Sequence, residues 1–544
     1  MTSGRTSVLS GLTALLVAIA PTVANATPAG RLALPDEPVP ALSWAACGTA
    51  AAGTAAGVQC ATAALPMDYD QPQGTQVHIA VARVPAKEPT QRIGSLFFDF
   101  GGPGAPAVNY LQTAGAGIFS ALNARFDIVA FDPRGVGQST PSIDCRVNQE
   151  TQGLIPRPAP VPVNLDAAAL VARAQRYDDS CLANNGEILR HVSTANVARD
   201  MDALRAAVGD KLLSYLGFSY GTFLGATYAA LFPDRYRALV LDGPVEPESW
   251  IHDPVSQSEA QLAAFELAFR RFLAACAADQ AACSGFGGSD PSTAYDGLLA
   301  SAAATAIPAP RYTADPRAVT ADDIRDVTAQ LLYAKQFWGV LAAALAQAAS
   351  GDGSSIRAIM DLIVSPSGDP ILDRFFTIAG SEQQWPRNVD AYLERGAREW
   401  ADAPHFWTHF AYAEIPFSLW PIRDENAYGG PFAVGPSSPT PLVIGTTYDP
   451  AAPYSWAVGT VRELGNARLL TMDGDGHTAY GRNSACINSA TETYLTAGTL
   501  PAAGTVCRQE VPFLGPQPAP SQVGTGTGRV TVPDGVPTEV LGGP

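Results

Sequence analysis

Short apolar runs recur along the chain, separated by stretches with a different period. Ser95–Phe100, Phe126–Phe131, Leu212–Phe218, Ala238–Leu241, Pro441–Ile444 and Arg468–Met472 are nearly unbroken in hydrophobicity. Such runs mark strands buried on both faces, as in a parallel sheet. Val77–Val84 alternates instead, with Val77, Ile79, Val81 and Arg83 on one face, and predicts an earlier strand. Asn196–Val208 places Val197, Met201, Leu204 and Val208 on one side at the helical period, and Phe223–Leu231 predicts a second helix ending before Pro233. Strands alternating with helices predict an α/β chain with a mostly parallel central sheet covered on both sides.

Between residues 247 and 439 the rhythm changes. Gln257–Ala277 and Ala321–Ala349 read as long helices, and no convincing strand–helix–strand unit falls in the segment. The expected organisation is a core over 27–246 and 440–510, interrupted by a mainly helical cap over 247–439. A Pro/Gly-rich tail over 511–544 follows, and a leader over 1–26 precedes it. The leader has Arg5, the apolar run Val8–Ala20 and the small-residue site Ala24-Asn25-Ala26, the pattern of a secretory signal peptide cleaved after Ala26. Its apolar run is too short to span a bilayer, and no later stretch is long enough. The expected location is extracellular.

Composition narrows the function. With 47% apolar and 16% charged residues the chain is an ordinary globular protein. A net charge of −17, and no lysines beyond Lys87, Lys211 and Lys335, argue against a nucleic-acid partner. The eight cysteines fit an oxidising compartment. Their order along the chain suggests local pairs: Cys47 with Cys60, Cys145 with Cys181, Cys276 with Cys283 and Cys486 with Cys507. Eight cysteines allow about 105 connectivities, so short loops are the only ground for this choice. No C-x-x-C occurs and the histidines are scattered, so neither a metal nor an organic cofactor is expected.

Gly217-Phe218-Ser219-Tyr220-Gly221 matches the G-x-S-x-G nucleophile elbow, with an apolar strand before it and a small-residue helix after it. That strand–turn–helix setting belongs to the α/β-hydrolase fold. A serine hydroxyl needs a base to take its proton. In this fold the acid and then the histidine follow the serine, each after a later strand. Asp449, in Thr447-Tyr448-Asp449-Pro450, and His477, in Gly474-Asp475-Gly476-His477, occupy those places. Asp473 and Asp475 lie on the wrong strand to be the acid. His78, His405 and His409 read as structural.

Two backbone donors are expected for an oxyanion. One is Tyr220 N–H, directly after the serine. The other comes from the turn Gly101-Gly102-Pro103-Gly104, where Gly102 is favoured. In Phe131-Asp132-Pro133-Arg134-Gly135, Asp132 and Arg134 are expected to form an internal ion pair with each other.

These stretches, with Asn196–Leu204, Leu241–Pro247, Gly445–Tyr454 and Gly476–Gly481, resemble the secreted tripeptidyl aminopeptidases of actinobacteria, relatives of the proline iminopeptidases. The resemblance runs from about Trp44 to Cys507. It implies release of short peptides, typically three residues, from free N-termini, with Ser219, Asp449 and His477 as nucleophile, acid and base. It also implies a cap carboxylate for the substrate's ammonium. Glu382, ending Thr377-Ile378-Ala379-Gly380-Ser381-Glu382, is the first candidate, and Glu246, entering the cap, is the second. Many members have a cysteine where this chain has Gly380, and another near Phe417 or Ser418. Their absence is consistent with one lost disulfide in the cap.

Two hydrolase readings stand after this: an exopeptidase, and an esterase or lipase using the same residues. A binding protein with a dead site is argued against by the intact set.

Overall fold

The computed structural model describes residues 39–47, 55–364, 370–482 and 484–510. The expected leader and the tail over 511–544 lie outside the described residues. Ten strands among them form one sheet: β1 (Ala45–Ala46), β2 (Gln59–Pro66), β3 (Gln76–Val84), β4 (Gly94–Asp99), β5 (Phe126–Phe131), β6 (Leu213–Phe218), β7 (Tyr236–Asp242), β8 (Leu442–Tyr448), β9 (Arg468–Asp475) and β10 (Val506–Arg508). Their order is β1-β2-β3-β5-β4-β6-β7-β8-β9-β10. From β5 through β10 in that order every neighbour is parallel, whereas β1, β2 and β3 pair antiparallel. The residues of β4, β5 and β6 are all buried, which is why those runs carry no polar alternation.

Sequence periodicity overlooks β2. Its Gln-Cys-Ala-Thr-Ala-Ala-Leu-Pro is rich in alanine, which has weak strand preference. Pairing with β3 along its whole length imposes the extended form. The four cysteine pairs form as their order suggests, Cys47–Cys60, Cys145–Cys181, Cys276–Cys283 and Cys486–Cys507. The last of these ties β10 to the helix Ala485–Ala497.

Between β7 and β8 the described residues form helices and no strand of the sheet. Pro254–Ala278 is capped by Asp253, Pro291–Ala304 by Asp290 and Ala321–Leu332 by a Thr320/Asp323 capping box. Phe269, Phe272, Trp338, Leu341 and Ile356 form part of their shared core. Phe98, Phe126, Leu216 and Val240 belong to the core against the sheet.

The single helix expected over Ala321–Ala349 is two, Ala321–Leu332 and Trp338–Ala349. No Gly or Pro announces the break. It occurs because Ala334 is extended, with φ −138° and ψ 119°. That frees the Tyr333 carbonyl to accept the N–H of His477 at 2.6 Å. Around Gly380 the cap packs aromatic rings closely. A Cβ on Gly380 would lie 2.9 Å from Trp420 and 3.4 Å from Phe417.

Candidate active site

β6 delivers Ser219 at its end, and the helix Tyr220–Leu231 begins immediately after. Ser219 holds φ 54° and ψ −127°, a region that non-glycine residues enter only where the surroundings over-determine it. Its N–H is fixed by the Asp242 carbonyl at 2.9 Å, and its carbonyl accepts from Thr222 N–H at 2.8 Å. The flanking glycines are steric necessities. A Cβ on Gly217 would lie 2.2 Å from the Gly221 carbonyl oxygen, and one on Gly221 would lie 2.7 Å from the Asp99 carbonyl oxygen.

Asp449 follows β8 and His477 follows β9, and the two meet. His477 Nδ1 is 2.9 Å from both carboxylate oxygens of Asp449. The carboxylate is held by its own loop: Oδ1 accepts from Ala451 and Ala452 N–H, and Oδ2 from Thr478 N–H. Both residues are buried. His477 Nε2 has no hydrogen bond, so Ser219 Oγ is not bonded to it in this state. Catalytic hydrogen bonds of this kind often form or tighten only when substrate arrives.

One buried residue that sequence reasoning missed spans the gap between them. The backbone of Asp242, at the end of β7, fixes Ser219 N–H, and its carboxylate accepts from Ala479 and Tyr480 N–H at 2.7–3.0 Å. Asp242 therefore joins the serine turn to the loop that carries His477. The next residue, Gly243, lies against the imidazole, where a Cβ would come 3.1 Å from Cε1. Burial pushes the Asp242 carboxyl up to about 6, against the pull of the Tyr480 and Ala479 N–H groups. A polar residue closing an apolar strand was its only sequence signal.

The turn after β4 lies on the serine turn. A Cβ on Gly101 would be 2.8 Å from Tyr220 N and 3.0 Å from Ser219 Cβ. Gly101 N–H donates to Asp99 Oδ1 at 2.8 Å, while Gly102 N–H has no acceptor among the described residues. Tyr220 N–H opens a helix, where the geometry supplies no intrahelical partner. Burial pushes the Asp99 carboxyl beneath this turn up to about 7.

The expected Asp132–Arg134 pair does not form. Arg134 is wholly buried against Asp200 at 2.6 Å, and Asp132 accepts the N–H groups of Ala107, Val108 and Gln138. Both lie past the end of β5, flanking Pro133 in a turn, where each side chain meets a different set of partners. Among the remaining candidates, Asp475 pairs with Arg271 and Lys335. His405 bridges Glu266 and Asp296, and His409 meets Asp326.

The two candidate amine-binding carboxylates differ. Glu246 is committed to Arg462 and Ser249. Glu382 is buried and accepts from Thr194 N–H, Thr194 Oγ1–H and Trp250 Nε1–H at 2.8–2.9 Å. Thr194 Oγ1 also meets the Tyr220 hydroxyl, which brings Glu382 to the residue beside Ser219. Burial pushes Glu382 up to about 7 despite those hydrogen bonds.

A serine on a strained strand–helix turn after β6, with a hydrogen-bonded Asp and His after β8 and β9, two and three strands along the sheet, defines a serine hydrolase. A family model described as the alpha/beta hydrolase fold matches residues 101–483, and the chain belongs to that family. It is 33% identical over 482 residues to the serine protease Hip1 of Mycobacterium tuberculosis, covering 83% of this chain and 87% of that one. Carboxylesterase B of the same organism is 34% identical over 507 residues, 90% and 94% of the two chains. The resemblance read from the motifs also holds. The tripeptidyl aminopeptidase of Streptomyces coelicolor is 29% identical over 474 residues, covering 85% of this chain and 84% of that one.

Proposed function

We propose that the protein is an exported serine exopeptidase that releases short peptides, tripeptides foremost, from free N-termini through an acyl-enzyme on Ser219. The observation that carries this reading is the Asp449–His477 pair, joined to the serine turn through Asp242, which holds Ser219 N–H with its carbonyl and the Ala479 and Tyr480 N–H groups with its carboxylate. In it, His477 takes the Ser219 proton as the oxygen attacks the carbonyl, then returns that proton to the leaving amine. Asp449 holds Nδ1–H and stabilises the imidazolium. Tyr220 and Gly102 N–H receive the oxyanion. Water repeats the cycle to release the peptide acid.

Glu382 is the carboxylate assigned to the substrate's ammonium. Its support is electrostatic: it is buried with no salt bridge to an arginine or lysine among the described residues, so an ammonium would supply a direct counter-charge. Glu246 already has Arg462. Export is supported by the four disulfides.

The experiment compares Ala-Pro-Ala-p-nitroanilide with its N-acetylated form. An exopeptidase turns over the free amine at least about tenfold better, and Glu382→Gln raises KM for the free amine while leaving the acetylated substrate unchanged. Equal rates on both peptides would refute the reading. An esterase is the second one, favoured by the carboxylesterase relative, and activity confined to acyl esters would establish it.

Asp242 gives a separate prediction. Asp242→Asn weakens its hold on the Ala479 and Tyr480 N–H groups. Charged hydrogen bonds of this kind contribute about 1.5–3 kcal/mol, so kcat should fall roughly tenfold to a hundredfold with KM little changed. Steady-state kinetics beside thermal unfolding separate this from loss of fold; an unchanged kcat would count against the positioning role.

A further inference from the structure

A space of about 120 Å³ lies between the helical insertion and Leu154 and Ile155, walled in part by Phe265, Phe375, Phe406, Phe410 and Phe417 and reaching Tyr333. Two contacts connect it to the catalytic edge. Tyr333 accepts the His477 N–H through its carbonyl and lays its ring edge-on to the imidazole, with centroids 5.4 Å apart. On another wall Gln261 donates to the Ala451 carbonyl at 2.7 Å, and Ala451 N–H holds Asp449.

The charges on the walls are already matched. Asp326 contacts Arg157 and accepts from His409 Nε2, and Glu414 is bonded to Arg395 and the Ser258 hydroxyl. Burial pushes His409 down to about 4, so it is neutral at ordinary pH. An ammonium or carboxylate entering here would find no unpaired opposite charge. Size sets a further limit. An apolar protein cavity of about 150 Å³ holds one benzene, so this one seats a single ring or branched aliphatic group and no more.

We propose that this cavity is the specificity pocket for one large uncharged side chain, of the phenylalanine or leucine class, on the substrate residue whose carbonyl Ser219 attacks. The proposal rests on Ser219 being the nucleophile, but not on whether the scissile bond is an amide or an ester. A pocket of this kind discriminates by about tenfold or more for each group it accommodates.

The test uses the full chain with two matched substrate pairs: Ala-Ala-Phe- and Ala-Ala-Ala-p-nitroanilide, and N-acetyl-Phe and N-acetyl-Ala p-nitrophenyl esters. The wild type should prefer Phe at least tenfold in kcat/KM. Ala329→Phe, which places a ring into the cavity from its wall, should lower kcat/KM for the Phe substrates about tenfold and change the Ala substrates less than twofold. No preference in the wild type, or equal losses on both members of a pair, overturns the proposal; the wild-type comparison decides even if Ala329→Phe does not fold. Turnover of the esters alone would end the exopeptidase reading, and the ester pair would then judge the cavity by itself.

Discussion

Ser219→Ala should lose roughly a million-fold in kcat on any substrate the enzyme cleaves, and unfold at the temperature of the parent. The loss follows from chemistry: with no hydroxyl, no acyl-enzyme forms, and His477 can at best activate water. Removing the serine alone from a subtilisin triad costs about that much, leaving a residual rate that comes from the oxyanion donors and substrate binding. The retained stability follows from structure. The turn is held by backbone bonds, Ser219 N–H to Asp242 and Thr222 N–H to Ser219, and among the described residues no side-chain hydrogen bond of Ser219 contributes. Alanine meets the same backbone strain at φ 54° that serine already bears. Turnover of p-nitroanilides and p-nitrophenyl esters, read beside circular-dichroism melting, checks both halves. A variant that kept the parent rate would remove Ser219 from the mechanism.

What could be read in the chain depended on how local its physical cause was. The serine turn is written in five adjacent residues because its crowding is local: Gly217 faces Gly221, and Gly221 faces the end of β4. The buried parallel strands were legible for a similar reason, since burial on two faces leaves no polar position to alternate. The pairing of Arg134 with Asp200 and the raised carboxyl of Asp242 were not legible, because each depends on partners far away in sequence. The break after Tyr333 is the clearest case. The alanine-rich stretch after the break favours helix, and the partner of the freed Tyr333 carbonyl, the N–H of His477, lies in a different part of the chain. Glu382 and Glu246 are the first and second candidates for the substrate's ammonium, ranked by motif alone. Only the fold gives an ion pair with Arg462 to Glu246 and, among the described residues, burial without a salt bridge to Glu382.

Asp449→Asn should lower kcat about ten-thousand-fold near neutral pH, with the fold retained. The hydrogen bonds around the residue dictate which way the new amide lies. Asp449 Oδ1 accepts two N–H groups, from Ala451 and Ala452, so the amide oxygen stays there. Its NH2 then occupies the Oδ2 position, facing His477 Nδ1 and the Thr478 N–H. Nδ1 then has the amide oxygen and the NH2 at the same 2.9 Å, and the tautomer that takes the NH2 bond has Nδ1 as acceptor and the ring proton on Nε2. Nε2 is the nitrogen without a partner in the structure, the one that must be free to take the Ser219 proton, and in this tautomer it cannot. KM should change little, because the amide occupies the same volume and the histidine remains over the same edge of the sheet. The measurement is kcat for a p-nitroanilide substrate across neutral pH, beside the melting temperature. A loss of less than about tenfold would mean that Asp449 does not set the tautomer, and Asp242, the other carboxylate whose charge His477 feels, would then be the acid to test.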